Sequence, residues 1–256
     1  MNYIPSIGVQ YRLMHGYSND EHQFFYESLI ISPSYQIAHK VMTGQVISSV
    51  VIDSIYRWDL VLKNYELFGD VFTVPFLKWW DTFGRDNFYS KQEDGSYLPV
   101  GNVNLVKNKI NKKTLIECLT LTNEKARLEK KHGQRIENWR LGVVSGVHSK
   151  WISQLKDLSK KTFDNLQART ALGILVSKKL KESLYVAENA ARGQFPSIDP
   201  IESGLRFDYP SIFEYQKENS KLDVRDKWQR KLDGLYVPKK YARRKVNRLL
   251  KKQQNT

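Results

Sequence analysis

The chain has little of what holds small secreted domains and metal centres together. Cys118 is the one cysteine among 256 residues, so the sequence excludes a disulfide within the chain and a zinc site built from several cysteines. Long apolar runs are also missing: Val50-Val51-Ile52 is a typical one, whereas about 20 apolar residues are needed to cross a bilayer. Residues 1–16 lack the charged stretch followed by an apolar one that marks a signal peptide. We expect a cytoplasmic protein without a membrane partner.

Motifs for nucleotide cofactors and covalent catalysis are missing as well. The sequence holds no phosphate-binding Gly-x4-Gly-Lys, no Gly-x-Gly-x-x-Gly after a strand and no Gly-x-Ser-x-Gly around a nucleophile. His15, His22 and His39 do not have a zinc-binding spacing. The richest set of carboxylates falls at expected helix caps and turns, where aspartate is common: Asp53, Asp59, Asp70, Asp81 and Asp86. The prediction is a protein with no cofactor and no metal site.

The charge that is present is divided unevenly along the chain. Residues 1–106 contain 7 Lys and Arg against 11 Asp and Glu, a net charge of −4. Residues 107–256 contain 34 Lys and Arg against 16 Asp and Glu, a net charge of +18. Such asymmetry favours a basic surface that contacts a polyanion, and nucleic acid is the expected partner.

Aromatic residues are concentrated in the acidic part, since 18 of the 31 Phe, Tyr and Trp residues lie in 1–89. They recur at helical spacing between residues that start or end helices, such as Ser32-Pro33, Gly44, Gly69 and Gly84. This pattern predicts four short helices around an aromatic core. A polar stretch at 90–97 follows, so we place an acidic, aromatic-rich helical domain at 1–90.

A basic helical domain with a small two-strand β element is predicted at 98–195. Val103 and Leu105 alternate with polar residues, and a β-branched segment at 114–121 follows a turn, which indicates a β hairpin. Thr122 is expected to cap a charged helix that ends at Gly133. The fold class is therefore mainly α.

The last part of the chain predicts a long helix, an extended segment and a tail. The helical pattern after Trp151 has Leu166 and Ile174 among its apolar positions, is interrupted near 160–162 and ends at Gly193. Residues 194–222 hold several prolines and predict an extended strap, and a short helix follows at 222–232. We assign the strap and short helix to 196–237 and a basic flexible tail to 238–256.

The tail is the strongest binding signal, because eight basic residues occur there without an acidic one. Each Lys or Arg that pairs with a phosphate releases counterions, so such a segment favours binding along a nucleic-acid backbone. Further candidates lie near the end of the charged helix and on the long helix, where Arg169 and Arg192 extend the basic face. The predicted nucleic-acid-binding residues are Lys239, Lys240, Arg243, Arg244, Lys245, Arg248, Lys251, Lys252, Lys130, Lys131, Arg135, Arg140, Lys178, Lys179 and Lys181.

Two places have the spacing of a helix-turn-helix motif. In the first, 60–68 and 76–83 flank a Gly-Asp turn, but Trp79 and Trp80 are expected in the core, which favours a structural role. In the second, 123–132 and 136–141 flank Gly133 and carry many basic residues, although the second helix is short. The second place suits DNA better than the first.

Arg127 and His132 are separated by four residues on the charged helix. This spacing resembles the Arg-x4–6-His signature of HEPN-type ribonucleases, a helical family. In that family the His acts in general acid/base chemistry and the Arg stabilises phosphate charge, so the resemblance implies catalytic roles for Arg127 and His132. The match covers six residues, and Leu128 stands where the family usually has a small polar residue.

The sequence favours a non-enzymatic nucleic-acid-binding protein, with DNA slightly ahead of RNA, that acts as an accessory subunit of a larger complex. Two alternatives stay open. One is the HEPN-like ribonuclease. The other is an adaptor whose acidic N-terminal unit binds a partner protein, with the basic tail adding only solubility.

Overall fold

A computed structural model describes residues 20–93, 97–99, 104–105, 110–155, 162–202 and 204–232. Most of them are helical and the strands are short, which confirms a mainly α protein with a small β element. The helices are α1 (Asp20–Ile31), α2 (Pro33–Met42), α3 (Ser49–Asp53), α4 (Trp58–Phe68), α5 (Phe76–Trp79), α6 (Arg85–Phe88), α7 (Lys112–His132), α8 (Asn138–Ser145), α9 (Ser149–Ile152), α10 (Phe163–Ala190) and α11 (Tyr209–Leu232), with a π-helical turn at Trp80–Gly84. The strands are β1 (Tyr89–Lys91), β2 (Tyr97–Pro99), β3 (Asn104–Leu105) and β4 (Gln194–Phe195).

Two of the N-terminal helices are bounded by residue types that the sequence indicates, whereas Gly84 does not end a helix, because helical backbone continues through it from the π-helical turn into α6. Ser32 is the N-cap of α2: its Oγ accepts a hydrogen bond from the backbone N–H of Tyr35 (3.2 Å), and Pro33 occupies the first helical position. Helix α4 ends at Gly69, whose φ of 62° lies in the left-handed region that favours glycine. Local chemistry is therefore enough to set these boundaries.

The predicted β hairpin is wrong. Segment 114–121 lies inside α7, whose N-cap Asn111 accepts a hydrogen bond from the backbone N–H three residues on (2.8 Å). Leu115 and Cys118 are buried because their helical spacing turns both toward neighbouring helices, and this burial overrides the β propensity of the segment. The antiparallel strand pair is β1 with β2, and β3 pairs in parallel with β4.

Two predicted helix starts also need correction. Thr122 does not cap a helix: it is buried in the middle of α7, with its Oγ1 2.7 Å from Ser183 Oγ on α10. Segment 209–222, predicted as extended, is the first half of α11. Asp208 accepts a hydrogen bond from a backbone N–H of the first turn (3.3 Å), and Pro210 is tolerated there because that turn needs no such donor.

Helix α10 is the element around which the fold is organised. It begins after the predicted interruption, where Thr162 Oγ1 accepts a hydrogen bond from the backbone N–H of Asn165 (3.4 Å). It packs against α1, α2, α7, α8 and α9. Neither α10 nor any other helix in the described ranges is long and apolar enough to cross a membrane.

Buried apolar side chains form two clusters. The larger contains the N-terminal aromatic residues, among them the fully buried Trp79, together with Leu115, Val186 and Ile212, so it includes residues from both predicted domains. The smaller cluster joins α7, α8 and α10 through Leu121, Leu128, Leu141, Leu172, Val176 and Leu180. This smaller cluster positions the basic surface described next.

Candidate nucleic-acid interface

Helix α8 lies close against α10 because Gly142 has no side chain. A Cβ added to Gly142 would lie 2.8 Å from Leu172 Cγ and 2.9 Å from Val176 Cγ2. Carbon atoms pack best at about 3.5–4.0 Å, so another residue would push the two helices apart. The glycine thereby sets the separation at which the outer residues of α8 meet α10.

The start of α8 is held by hydrogen bonds to two other helices. Asn138 Nδ2 donates to Ser177 Oγ on α10 (2.7 Å), and Lys125 Nζ on α7 donates to Asn138 Oδ1 (3.2 Å). Burial lowers the pKa of Lys125 from its ordinary value. These bonds fix the rotation of α8 about its axis, and with it the placement of the residue that follows Asn138.

That residue is Trp139, which lies among positively charged groups. The guanidinium carbon of Arg169 is 4.6 Å from the Trp139 ring centroid, and that of Arg140 is 5.2 Å away. Glu137 accepts hydrogen bonds from Trp139 Nε1 (3.1 Å) and pairs with Arg140 Nε (2.7 Å). Because cations are attracted to an indole face, the two arginines hold the ring in place at the protein surface.

Trp151 lines an open apolar groove beside α10. The groove has a volume of about 420 Å³ and is lined by Trp151, Leu166, Gln167, Thr170, Ala171 and Ile174. Leu166 is 60% exposed and Ile174 is 64% exposed, although both occupy apolar positions of the helical pattern. Lys150 Nζ lies 5.7 Å from the Trp151 ring centroid. The groove is therefore apolar inside and has a cation beside its aromatic wall.

Two exposed lysines extend this surface along α10. Lys178 and Lys181 follow Ile174 by four and seven residues, and positions at these spacings share one side of a helix. Arg169 lies on a different side of α10, because it precedes Ile174 by five residues, or about 140° of rotation. We call the combined set the tryptophan surface and distinguish two parts of it: Trp139, Arg140 and Arg169 on the α8 side of α10, and Lys150, Trp151, Leu166, Thr170, Ile174, Lys178 and Lys181 around the groove.

The structure places only part of the predicted basic face of α10 on this surface. Lys179 turns toward α7, where its Nζ is 2.9 Å from Glu182 and 3.9 Å from Glu117 carboxylate oxygens. Arg192 is buried and pairs with Glu188 (3.0 Å). The exposed basic face of α10 therefore lacks Lys179 and Arg192, which the sequence had placed on it.

The predicted residues at the end of α7 form a separate basic area. Lys130 Nζ pairs with Glu214 on α11 (2.9 Å), so this side chain is directed toward α11. Lys131 and Arg135 are exposed. Arg140 therefore belongs to the tryptophan surface, whereas Lys130 belongs to the α7–α11 side of the molecule.

The structure does not bring Arg127 and His132 together. The Arg127 guanidinium forms a bidentate pair with the Glu124 carboxylate, one turn earlier on α7. His132 is exposed at the end of the same helix, and five residues correspond to a rotation of about 140° around a helix axis. An acid/base group and a phosphate-stabilising group would have to face one reacting phosphate, which this placement within one chain does not provide.

Three sequence-based candidates remain: the helix-turn-helix matches, a metal site and the basic tail. In the first helix-turn-helix match Trp79 is buried, and in the second the helix after Gly133 begins at Asn138 rather than Ile136. Within the described ranges no three His, Cys, Asp or Glu side chains are grouped to hold a metal ion. The tail 238–256, with its eight predicted binding residues, lies outside the residues that the structure describes.

The sequence does not predict the groove or the contacts of Trp139 and Trp151 with cations. The available signals were the adjacent Trp139-Arg140 and Lys150-Trp151 pairs, in which an amphipathic ring follows or precedes a cation. The groove itself cannot be predicted from sequence, because Leu166 and Ile174 have the same helical spacing as residues of a buried core.

Comparison with known proteins adds no identification to this geometry. No protein-family model matches the chain, and neither curated proteins nor solved structures include a match to it.

Proposed function

We propose that the protein binds nucleic acid without acting as an enzyme, and that the tryptophan surface is the part of the described structure that makes the contact. The observation that carries the proposal is the set of cationic side chains grouped around two tryptophans on the basic part of the chain. Lysines and arginines supply phosphate contacts, and aromatic rings supply a face for bases. The tail 238–256 adds eight cations to the same partner. DNA is slightly favoured over RNA, and the role is that of an accessory subunit.

Neutralising two lysines of the tryptophan surface tests this proposal. If Lys178 and Lys181 each contact a phosphate, the variant Lys178→Gln/Lys181→Gln loses two counterion-releasing contacts. The slope of log K against log salt then falls by roughly 1.4–1.8 between about 50 and 200 mM salt. The measurement is fluorescence anisotropy with labelled duplex DNA, single-stranded DNA and RNA.

The matched control changes net charge equally at two exposed lysines of the N-terminal unit, Lys63→Gln/Lys78→Gln. We expect it to leave the slope nearly unchanged. A second variant, which ends at residue 237, measures how much of the affinity and of its salt dependence comes from the tail. If no nucleic acid binds at 50 mM salt, or if the control lowers the slope as much as the first variant does, the proposal fails. Cleavage of the RNA that is lost in His132→Ala would replace it with the ribonuclease alternative.

A second candidate function, protein interaction, is favoured by exposed apolar residues in the N-terminal unit. Met42, Val50, Val51 and Tyr56 are exposed, and Val46 is 98% exposed. The stretch 41–52 has no charged residue. Clusters of this kind mark surfaces that bind other proteins. The partner to test first is a second copy, because an apolar patch without charged residues is complementary to the same patch on another molecule in a two-fold symmetric pair.

Sedimentation equilibrium of the full chain and of Val46→Ser/Val50→Ser examines this candidate. We expect the wild-type protein to self-associate with rising concentration and the variant to stay monomeric over the same range, because the variant loses apolar contact area. Nucleic-acid affinity per monomer is expected to be unchanged. A wild-type chain that is monomeric throughout would remove the second copy as the partner.

A further inference from the structure

The groove beside Trp151 has a composition that phosphate binding alone does not explain. Its walls are the indole of Trp151 and the aliphatic side chains of Leu166, Ala171 and Ile174, with Gln167 and Thr170 as the polar members. Leu166 and Ile174 expose most of their side chains to solvent. Apolar surface left in water is unfavourable, so an occupant with apolar faces gains free energy by covering it.

The charges around the groove restrict what that occupant is. Lys178 and Lys181 continue the face of α10 that carries Ile174, and Lys150 lies next to Trp151. These cations favour an occupant that is apolar in one part and negatively charged in another. A single-stranded nucleic acid has this combination, because its unstacked bases are flat and apolar on both faces and its phosphates are negative.

A duplex fits the same surface less well. Its bases are stacked inside and present only their edges in the grooves, so the backbone offers phosphates and sugars to the protein. The lysines and arginines could pair with those phosphates, but the apolar groove would stay uncovered. We infer that the groove binds bases of a single strand, stacked against Trp151, while the surrounding cations bind its phosphates. This inference rests on the proposed function and names its substrate class.

The arginines over Trp139, on the α8 side of the tryptophan surface, supply a second stacking position. The guanidinium groups of Arg140 and Arg169 lie over the Trp139 ring, and such planar cations themselves stack on bases. Stacking of this kind tolerates any base, because every base has a π face. The expected partner is therefore single-stranded DNA or RNA bound with little dependence on sequence.

The test compares two substitutions at Trp151 in the full chain. Trp151→Phe keeps an aromatic face, whereas Trp151→Leu keeps apolar volume without a ring. With a labelled 20-nucleotide single strand, its duplex and the matching RNA at fixed salt, we expect the wild type to prefer the single strands by at least tenfold. Trp151→Leu should lose roughly tenfold affinity for single strands, in line with the cost of losing one stacked base. Trp151→Phe should stay within about threefold of wild type, and duplex affinity should not change.

A second pair of variants avoids the packed tryptophan. Ile174→Asp places a carboxylate in the groove, and Thr82→Asp adds a carboxylate at an exposed site of the N-terminal unit that belongs to neither proposed binding surface. Only Ile174→Asp is expected to weaken single-strand binding.

The outcomes separate the inference from the function on which it depends. Absence of binding to any strand contradicts the proposed function itself. Equal affinity for duplex and single strands, with no effect of Trp151→Leu or Ile174→Asp, leaves nucleic-acid binding in place and overturns the inference; the groove would then be a site for an apolar protein partner. Single-strand preference that Trp151→Leu abolishes and Trp151→Phe retains supports it.

Discussion

Replacing Glu188 with alanine is expected to lower the free energy of unfolding by about 3–5 kcal/mol, the usual cost of leaving one member of a buried ion pair without its partner. The side chains of Glu188 and Arg192 are 1% and 3% exposed, and their closest charged atoms are 3.0 Å apart. In water both groups would be solvated, whereas here each depends on the other and on nearby dipoles.

The Glu188 carboxylate joins α10 to the start of α2. Its Oε1 accepts hydrogen bonds from Ser32 Oγ (2.7 Å) and from the backbone N–H of Ser34 (3.0 Å), and its Oε2 accepts from Arg192 Nη1. Arg192 Nε in turn donates to the carbonyl of Tyr56 (2.9 Å). Alanine at 188 leaves a buried guanidinium without its counter-charge and removes the acceptor of three further donors, Ser32 Oγ and the N–H and Oγ of Ser34, so the cost exceeds that of the ion pair alone.

Urea unfolding of Glu188→Ala, Arg192→Met and the double variant measures this network. The double variant is expected to lose less than the sum of the single ones, because removing both charges leaves neither uncompensated. Glu218→Ala is the control: its pair with Lys221 is shorter (2.7 Å) but both side chains are more than half exposed, so a loss of about 1 kcal/mol or less is expected. A loss of less than about 1 kcal/mol in Glu188→Ala would contradict the conclusion that Glu188 and Arg192 form a buried ion pair that stabilises the fold.

Acid should destabilise the protein through His22, by about 3 kcal/mol between pH 7 and pH 4. The His22 ring is 4% exposed and is surrounded by Trp80, Phe88 and Tyr89, with ring centroids 4.6, 4.5 and 5.4 Å away. Neither ring nitrogen has a hydrogen-bond partner among the residues that the structure describes. Burial lowers the pKa of His22 from 6.5 to about 4.

Acid lowers the free energy of unfolding because the unfolded chain protonates His22 at a higher pH than the folded chain does. Below pH 6.5 the unfolded chain protonates His22 while the folded chain keeps it neutral, so the stability that it contributes falls until the pH reaches about 4. His22→Phe fills the same aromatic site without a titratable group. The difference in unfolding free energy between wild type and His22→Phe is therefore expected to change across this pH range. The control, His132→Gln, alters an exposed histidine and should show no such change.

A difference between wild type and His22→Phe that stays constant across this pH range would show that the His22 ring is solvated in the folded protein.

The parts of the fold that could be predicted from sequence are those that depend only on residues within about one helical turn of each other. Ser32-Pro33 starts α2 and Gly69 ends α4 because the cap and the left-handed φ are properties of those residues themselves. Segment 114–121 could not be predicted in this way. Its β-branched residues favour a strand, and only the neighbours α10 and α11, distant in sequence, make a helix the better way to bury Leu115 and Cys118.

The candidate site shows the same limit. The proposal of a polyanionic partner starts from the net charge of +18 on residues 107–256, which depends on composition and not on how the chain folds. Which cations act together does not follow from composition. Lys178 and Lys179 are adjacent in sequence, yet Lys178 is exposed on the tryptophan surface and Lys179 pairs with Glu117 and Glu182.

Composition and local chemistry were thus enough to determine a mainly helical chain, the start of α2, the end of α4 and the sign of the chain's own net charge. Packing decided the rest. Gly142 brings α8 against α10, the Asn138 hydrogen bonds set the rotation of α8, and Leu166 and Ile174 remain uncovered beside Trp151 although their spacing is that of core residues. Whether an apolar helix face is core or groove depends on what packs against it, and that is a property of contacts between distant segments and not of the segment itself.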